Sequence, residues 1–197
     1  MELLKYILII AGGYLIGSVS VSIIFSRLRG GDIREKGSGN AGATNMARVF
    51  GLGAGFLTLA GDFLKTIIVM GISWFLCGEW GLMAGGMACI TGHCFPVFYQ
   101  FRGGKGISAG AAIALAVGWR VFAGVILVFL AGAFFSKKVS LGSVCASVAI
   151  IVFAILFHAP LPRILLAAYS GLLAVFQHRA NIRRLLNGTE PDFKAAK

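Results

Sequence analysis

The sequence predicts an all-α, polytopic integral membrane protein of seven transmembrane helices, with its N-terminus outside and its C-terminus cytoplasmic. Three observations carry this. Of the 197 residues, 58% are hydrophobic and only 13% charged, about half the ~25% charged share of soluble domains. The apolar residues fall into runs near the ~20 that a helix needs to cross ~30 Å of hydrocarbon. The basic residues, which leave a formal charge of +11, lie between the runs and gather on one side. Spans use the whole length, so a single domain over 1–197 is expected, with no separate soluble part.

The runs place spans at 3–26, 52–76, 80–101, 105–118, 119–136, 140–158 and 161–178. The first could pass for a signal peptide. It has no Ala-x-Ala cleavage pattern, however, and its strongest positive charge, Arg27 and Arg29, follows the apolar run, so it reads as a retained span. Residues 105–136 form one apolar run broken only by Gly118-Trp119-Arg120. A single helix of that length would overrun the bilayer, so the run is split into two short or tilted helices. Pro160 and Pro162 mark the last turn. The runs show little amphipathic period, as expected of helices bathed in lipid.

Basic residues set the orientation. One side holds Arg27, Arg29, Arg34, Lys36, Arg48, Arg102, Lys105, Lys137, Lys138, Arg179, Arg183, Arg184, Lys194 and Lys197; the other holds Lys5, Arg120 and Arg163. Lys65 lies within a span. The 14-to-3 count makes the first side cytoplasmic. Merging the fourth and fifth spans would scatter these charges, which favours seven. Basic loops between apolar runs point to anionic headgroups and anionic substrates, not to nucleic acid.

Three polar clusters fall on the cytoplasmic face. The first runs from Gly37 to Arg48. Its glycines let backbone N–H groups approach an anion, Ser38, Asn40, Thr44 and Asn45 add hydrogen-bond donors, and Arg48 can fork two bonds onto phosphate. A helix starting near Ala43 would add its N-terminus. Gly37, Gly39 and Gly42 match G-x-G-x-x-G, but no strand-helix-strand unit surrounds them, which excludes a dinucleotide site. A flexible loop is the plain alternative.

The second cluster runs from Gly92-His93 through Pro96 to Gly103-Gly104-Lys105-Gly106. Its end is close to a Walker A motif, but Gly106 stands where Ser or Thr would hold magnesium, which argues against an ATPase. His93 can be a packed residue at a span end or part of the site. The third cluster spans His178 to Glu190. His178 and Asn181, at i and i+3, share a helix face; a basic patch on anionic lipid is the alternative.

Asp62 and Lys65, also i and i+3, are tolerable within a span when paired and turned inward. They form a structural ion pair or line the site. Ser143 opens the sixth span beside Lys137 and Lys138, as a packing serine or an active-site donor. Cys77, Cys89, Cys94 and Cys145 form no C-x-x-C pair and read as core thiols.

The three clusters together resemble the bacterial acyl-phosphate:glycerol-3-phosphate acyltransferases, the PlsY family. Residues 37–48 are similar to that family's first motif, with Ala41 where many members have Pro. Gly92-His93, Phe95-Pro96 and Gly103-Gly104-Lys105-Gly106 resemble the second, with Arg102 in place of a common Lys. His178, Asn181, Ile182, Arg184, Leu185, Gly188 and Glu190 resemble the third, with Gln177 in place of a common Arg. The resemblance covers essentially the whole chain.

It implies a fatty acyl transfer from acyl phosphate to the 1-hydroxyl of glycerol 3-phosphate, giving lysophosphatidic acid and inorganic phosphate at the start of phospholipid synthesis. The two phosphorylated substrates and membrane lipid are the expected partners, and the expected state is a monomer in the bacterial inner membrane with a cytoplasmic active site. Ser38, Gly39, Asn40 and Lys105, with Gly103, Gly104 and His93, are expected to cradle phosphate. Thr44, Asn45, Arg48, Ser143, His178 and Asn181 are expected to position glycerol 3-phosphate or the acyl carbonyl. His178 is the first choice of general base, and the donor phosphate is the other acceptor. The His-x-x-x-x-Asp pair of acyl-CoA-dependent acyltransferases is absent: Phe98, Arg163 and Arg183 stand five residues after His93, His158 and His178. No cofactor or metal is expected. The rival from another class is a transporter of a phosphorylated solute, which would use the same basic loops; a lipid-binding scaffold is weaker.

Overall fold

A computed structural model describes residues 1–196; Lys197, one of the fourteen basic residues above, lies outside them. The described chain is helical throughout, with nine α-helices joined by loops and two short 3-10 turns. Four helical stretches are long and apolar enough to cross a membrane, Glu2–Leu28, Leu52–Tyr99, Trp119–Ser136 and Val139–Leu156, and Ile107–Val117 and Leu161–Gln177 are shorter apolar helices.

The expected first span is two helices, α1 (Glu2–Ser18) and α2 (Val21–Leu28). Val19 adopts an extended conformation, and the Ser20 hydroxyl caps α2 by accepting from the Ile23 N–H at 3.4 Å. Apolarity continues through this break, so the hydrophobic pattern conceals it. After a loop comes α3 (Ala43–Phe50), then α4 (Leu52–Cys94).

α4 reverses at Cys77 and Gly78, where Gly78 takes φ +59 and ψ −147. In a straight helix Met70 and Gly86 would stand about 24 Å apart at 1.5 Å per residue. Here they touch, Gly85 lies against Ser73, and Cys89 Sγ reaches Thr66 Oγ1 at 3.7 Å. The two arms, 52–77 and 79–94, are therefore an antiparallel pair, close to the expected second and third spans. The second arm stops at Cys94, short of the expected residue 101. Beyond it lie a turn at Val97–Tyr99 and two left-handed residues, Gln100 and Phe101.

α5 (Ile107–Val117) is only 11 residues long, about 16 Å of helix. α6 (Trp119–Ser136), α7 (Val139–Leu156) and α8 (Leu161–Gln177) follow, and α9 (Arg179–Leu186) ends the helical part. Gly118 breaks α5 from α6 as the sequence indicates.

Small residues bring these helices together, as lipid-embedded packing requires. A Cβ on Gly17 of α1 would overlap the Cys89 carbonyl, and one on Gly92 would overlap the Tyr14 carbonyl. Gly132 of α6 meets Gly142 of α7, and Gly171 of α8 meets the Ser147 backbone. The core is built from Ile90, Ala109, Ala112, Ile113, Val121, Ala149, Ile150, Leu166 and Ala167. Large apolar side chains such as Phe75, Phe134, Phe135 and Leu172 point outward.

One end of the bundle collects the polar loops. Tyr14 donates to the Phe95 carbonyl at 2.8 Å, and Gln177 donates to the Gly104 carbonyl at 3.3 Å. The C-terminal segment crosses the same end: Phe193 N–H donates to the Lys137 carbonyl at 3.0 Å, and Ala196 N–H to the Ala47 carbonyl at 3.1 Å.

Candidate active site

A cavity of about 490 Å³ opens at this end, lined by residues of all three clusters. Ser38, Asn40, Thr44, Asn45, Arg48, His93, Lys105, Ser143, His178 and Asn181 all border it. Gly39, Gly103 and Gly104 do not, and their local bonding explains why.

Asn45 is almost fully buried and acts as the internal strut of its loop. Its Oδ1 accepts from the Ser38 N–H at 2.9 Å, and its Nδ2 donates to the carbonyls of Ile33, Lys36 and Asn40. It therefore has no side-chain donor left for an anion, contrary to the expected role. Gly39, at φ +72, closes a turn by donating its N–H to the Lys36 carbonyl. Arg34 holds the loop from outside, donating to the Tyr99 carbonyl at 2.7 Å and pairing with Asp32 at 2.7 Å. That pairing keeps the Asp32 carboxyl at about 2.

Gly103 and Gly104 point their N–H groups away from the cavity, to the carbonyls of Cys94 (3.2 Å) and His93 (3.1 Å). Their lack of side chains is a packing requirement: a Cβ on Gly103 would overlap the His93 carbonyl, and one on Gly104 would overlap His93 Nε2. These glycines fold the loop against the end of α4 and so deliver Lys105 to the cavity. His93 Nδ1 faces inward, 3.6 Å from Asp62 and 3.5 Å from Lys65 Nζ.

Lys105 lies just before α5 and donates to Asn181 Oδ1. Burial, and then the nearby Arg184, lower its pKa to about 8. Asn181 Nδ2 donates to Glu190 at 2.7 Å, and Arg184 Nε donates to the other Glu190 oxygen at 2.7 Å. Burial opposes ionisation of Glu190, but the hydrogen bonds from Asn181 and Arg184 outweigh it and hold the carboxyl below its usual pKa. Arg48, Lys105 and Arg184 against one carboxylate leave a cationic cavity.

His178 sits beyond the end of α8. Its Nδ1 lies 2.7 Å from the Ala174 carbonyl. A carbonyl only accepts, so Nδ1 carries the proton and Nε2 keeps a free lone pair. Burial lowers the imidazole to about 4, so it is neutral at pH 7. The Ser143 hydroxyl donates to the Val139 carbonyl at 2.9 Å and keeps acceptor capacity toward the cavity.

Several lining residues escaped the sequence reading. Ser108 and Ser140 are both nearly buried at the cavity wall. The i, i+3 spacing of Ser140 and Ser143 on α7 was the available signal. Pro191 and Phe193 belong to the C-terminal segment, which no periodicity marks; Lys138 and Asp192 pin it at 2.8 Å.

A second, apolar groove of about 110 Å³ runs down between α5, α6, α7 and α8. It shares Leu59, Ile107, Ser108 and Phe129 with the polar cavity, and Gly110, Ala111, Ile150 and Gly171 line it further down.

The glycerol-3-phosphate acyltransferase family model matches residues 7–188. The chain belongs to this family. Glycerol-3-phosphate acyltransferase of Rubrobacter xylanophilus is 38% identical over 188 residues, which cover 95% of this chain and 94% of that protein. The Clostridioides difficile relative of the same name is 40% identical over 197 residues, covering 96% of each. A crystal structure of PlsY, an integral membrane glycerol 3-phosphate acyltransferase, in its glycerol 3-phosphate form superposes with a TM-score of 0.91 at 35% identity, covering 96% of both chains. Its lysophosphatidic acid form gives 0.89 at 34%, covering 96% of this chain and 95% of that one. The all-helical chain is thus an integral membrane protein of PlsY type.

Proposed function

We propose that the chain transfers a fatty acyl group from acyl phosphate to the 1-hydroxyl of glycerol 3-phosphate, releasing lysophosphatidic acid and inorganic phosphate for phospholipid synthesis. The observation that carries this is that a cationic cavity and an apolar groove adjoin, sharing Leu59, Ile107, Ser108 and Phe129. A donor with a charged head and a hydrocarbon tail fits across the junction, and a small polyol phosphate fits the cavity alone.

The roles follow from geometry. Lys105, Ser38 and Asn40 hold the donor phosphate, and Arg48 and Thr44, with Ser143, Asn181 and His178, hold glycerol 3-phosphate and the carbonyl. Fixed donors around a developing negative charge are the main source of rate here. The hydroxyl oxygen attacks the acyl carbon, the acyl carbon–phosphate oxygen bond breaks, and the phosphate leaves with the charge. His178 Nε2 accepts the hydroxyl hydrogen bond and aims it. At a pKa of about 4 it is a weaker base than a phosphate whose second pKa is ~6. This favours the departing phosphate as the acceptor of the proton. No covalent enzyme intermediate is needed.

The same reading places the protein in the bacterial inner membrane with seven crossings, counting both arms of α4 and the short α5 and α8. The basic loops, the cavity and the C-terminus face the cytoplasm. The proposed state is a monomer. The test supplies purified protein with radiolabelled glycerol 3-phosphate and palmitoyl phosphate. Lysophosphatidic acid should form, Lys105→Ala should abolish it in protein that still inserts, and His178→Ala should lower kcat. A wild-type protein that makes none, yet takes up glycerol 3-phosphate into sealed vesicles, would replace this reading with the transporter.

A further inference from the structure

Asp62 and Lys65 are not used by the chemistry above, yet they sit under it. Asp62 is 1% exposed and pairs with Lys65 at 2.8 Å, one helical turn along the first arm of α4. A buried ion pair is costly to keep and gives weak evidence of stabilisation by itself. What its members touch is more informative.

Lys65 Nζ donates to the Val19 carbonyl at 2.6 Å. Val19 is the point where α1 stops and α2 turns off toward the first loop. Asp62 Oδ1 also faces His93 Nδ1 at 3.6 Å. The His93 carbonyl accepts the Gly104 N–H, and its ring packs where a Gly104 side chain would be. One ion pair thus touches the α1–α2 break, from which α2 leads into the loop that carries Ser38 and Asn40, and, through His93, the end of α4 that leads into the loop carrying Lys105.

We propose that Asp62, Lys65 and His93 form a positioning unit that fixes the two loops relative to each other, and so sets the spacing between Lys105 and the Ser38 loop. None of the three is a catalytic residue in this assignment. The inference rests on the reading of Lys105 and Ser38 as phosphate ligands, but the tether itself can be read without turnover. Arg34, bonded to the Tyr99 carbonyl at 2.7 Å, ties the same loops at the outer rim. Losing the inner tether should therefore loosen the loops without releasing them.

The test compares wild type with Asp62→Asn and with the double variant Asp62→Asn/Lys65→Met. Asp62→Asn keeps the shape but removes the charge that holds Lys65 and His93. Misplacement of a binding group by about 1 Å can cost 10²-fold, so kcat/KM should fall on the order of 10- to 100-fold, mainly through KM. The double variant carries no unpaired buried charge. It should regain thermal stability in detergent without regaining KM, which a purely structural pair would not predict. Hydrogen–deuterium exchange without substrate should quicken in both 33–42 and 101–106.

Wild-type KM in either variant, or faster exchange confined to one loop, would overturn the proposal. Recovery of KM together with stability in the double variant would do the same. If wild type makes no lysophosphatidic acid, the functional reading fails, and the exchange data still decide the tether.

Discussion

Gly104→Ala adds one methyl group behind the site, against the His93 ring, and the structure indicates its cost. Its Cβ would overlap His93 Nε2, with His93 Cε1 at 2.7 Å and the Ala41 carbonyl oxygen at 3.0 Å. The imidazole cannot swing clear without leaving Asp62 and Lys65, and the Ala41 backbone belongs to the opposite loop. Overpacking of this kind costs about 1–3 kcal/mol, and each 1.4 kcal/mol is about tenfold. If the loop shifts to relieve the clash, Lys105 moves with it, and kcat/KM should drop on the order of 10- to 100-fold. If His93 shifts instead, the loss appears as a lower unfolding temperature. Steady-state acyl transfer and thermal unfolding in detergent, measured on one preparation, separate the two. Gly12→Ala is the control, because nothing lies within 4 Å of its added Cβ and alanine is the better helix former. Gly104→Ala with both wild-type kinetics and wild-type stability would refute the packing argument.

Lys105 gives a pH signature with opposite signs for activity and stability. With its pKa lowered to about 8, the free enzyme loses the charge proposed to hold phosphate as pH rises through 8, so kcat/KM should fall there. The unfolded chain keeps that proton up to the ordinary lysine range, so stability from this group should rise between about pH 8 and 10.4; pH-resolved kinetics and melting that move together would contradict it. Gly17→Ala drives a methyl group into the Cys89 backbone and should destabilise by about 1–3 kcal/mol, read as a lower melting temperature. Ala111→Phe should obstruct the apolar groove and raise KM for long-chain acyl phosphate while leaving KM for glycerol 3-phosphate near wild type. Equal effects on both substrates would separate the groove from the acyl chain.

Much of this architecture is legible before any coordinates. Runs of apolar residues mark the helices, and Gly118 and Gly78 fall at real breaks: Gly118 in extended backbone, and Gly78 at a positive φ that few other residues tolerate. The break at Val19 is hidden because small hydroxyl residues satisfy their polar groups locally and do not interrupt hydrophobicity. The lining set is largely readable as residue types, but the direction of each donor is not. Asn45 and the glycines at 39, 103 and 104 have the chemistry of an anion cradle. Their hydrogen bonds go to neighbouring carbonyls, a fact set by three-dimensional register. Pro191 and Phe193 are illegible for a related reason: only the folded path of the C-terminal segment brings it to the cavity.

The polar cavity and the apolar groove share a wall made by Leu59, Ile107, Ser108 and Phe129. Such a boundary sorts an amphiphile by its own partitioning. The hydrocarbon end is already dissolved in its preferred medium before the head group docks, so little translational freedom remains to be surrendered on binding. A water-soluble reactant reaches the same boundary from the other phase. The wall thus serves as a meeting line between two immiscible solvents, and the acylated product is made in the phase where it will stay.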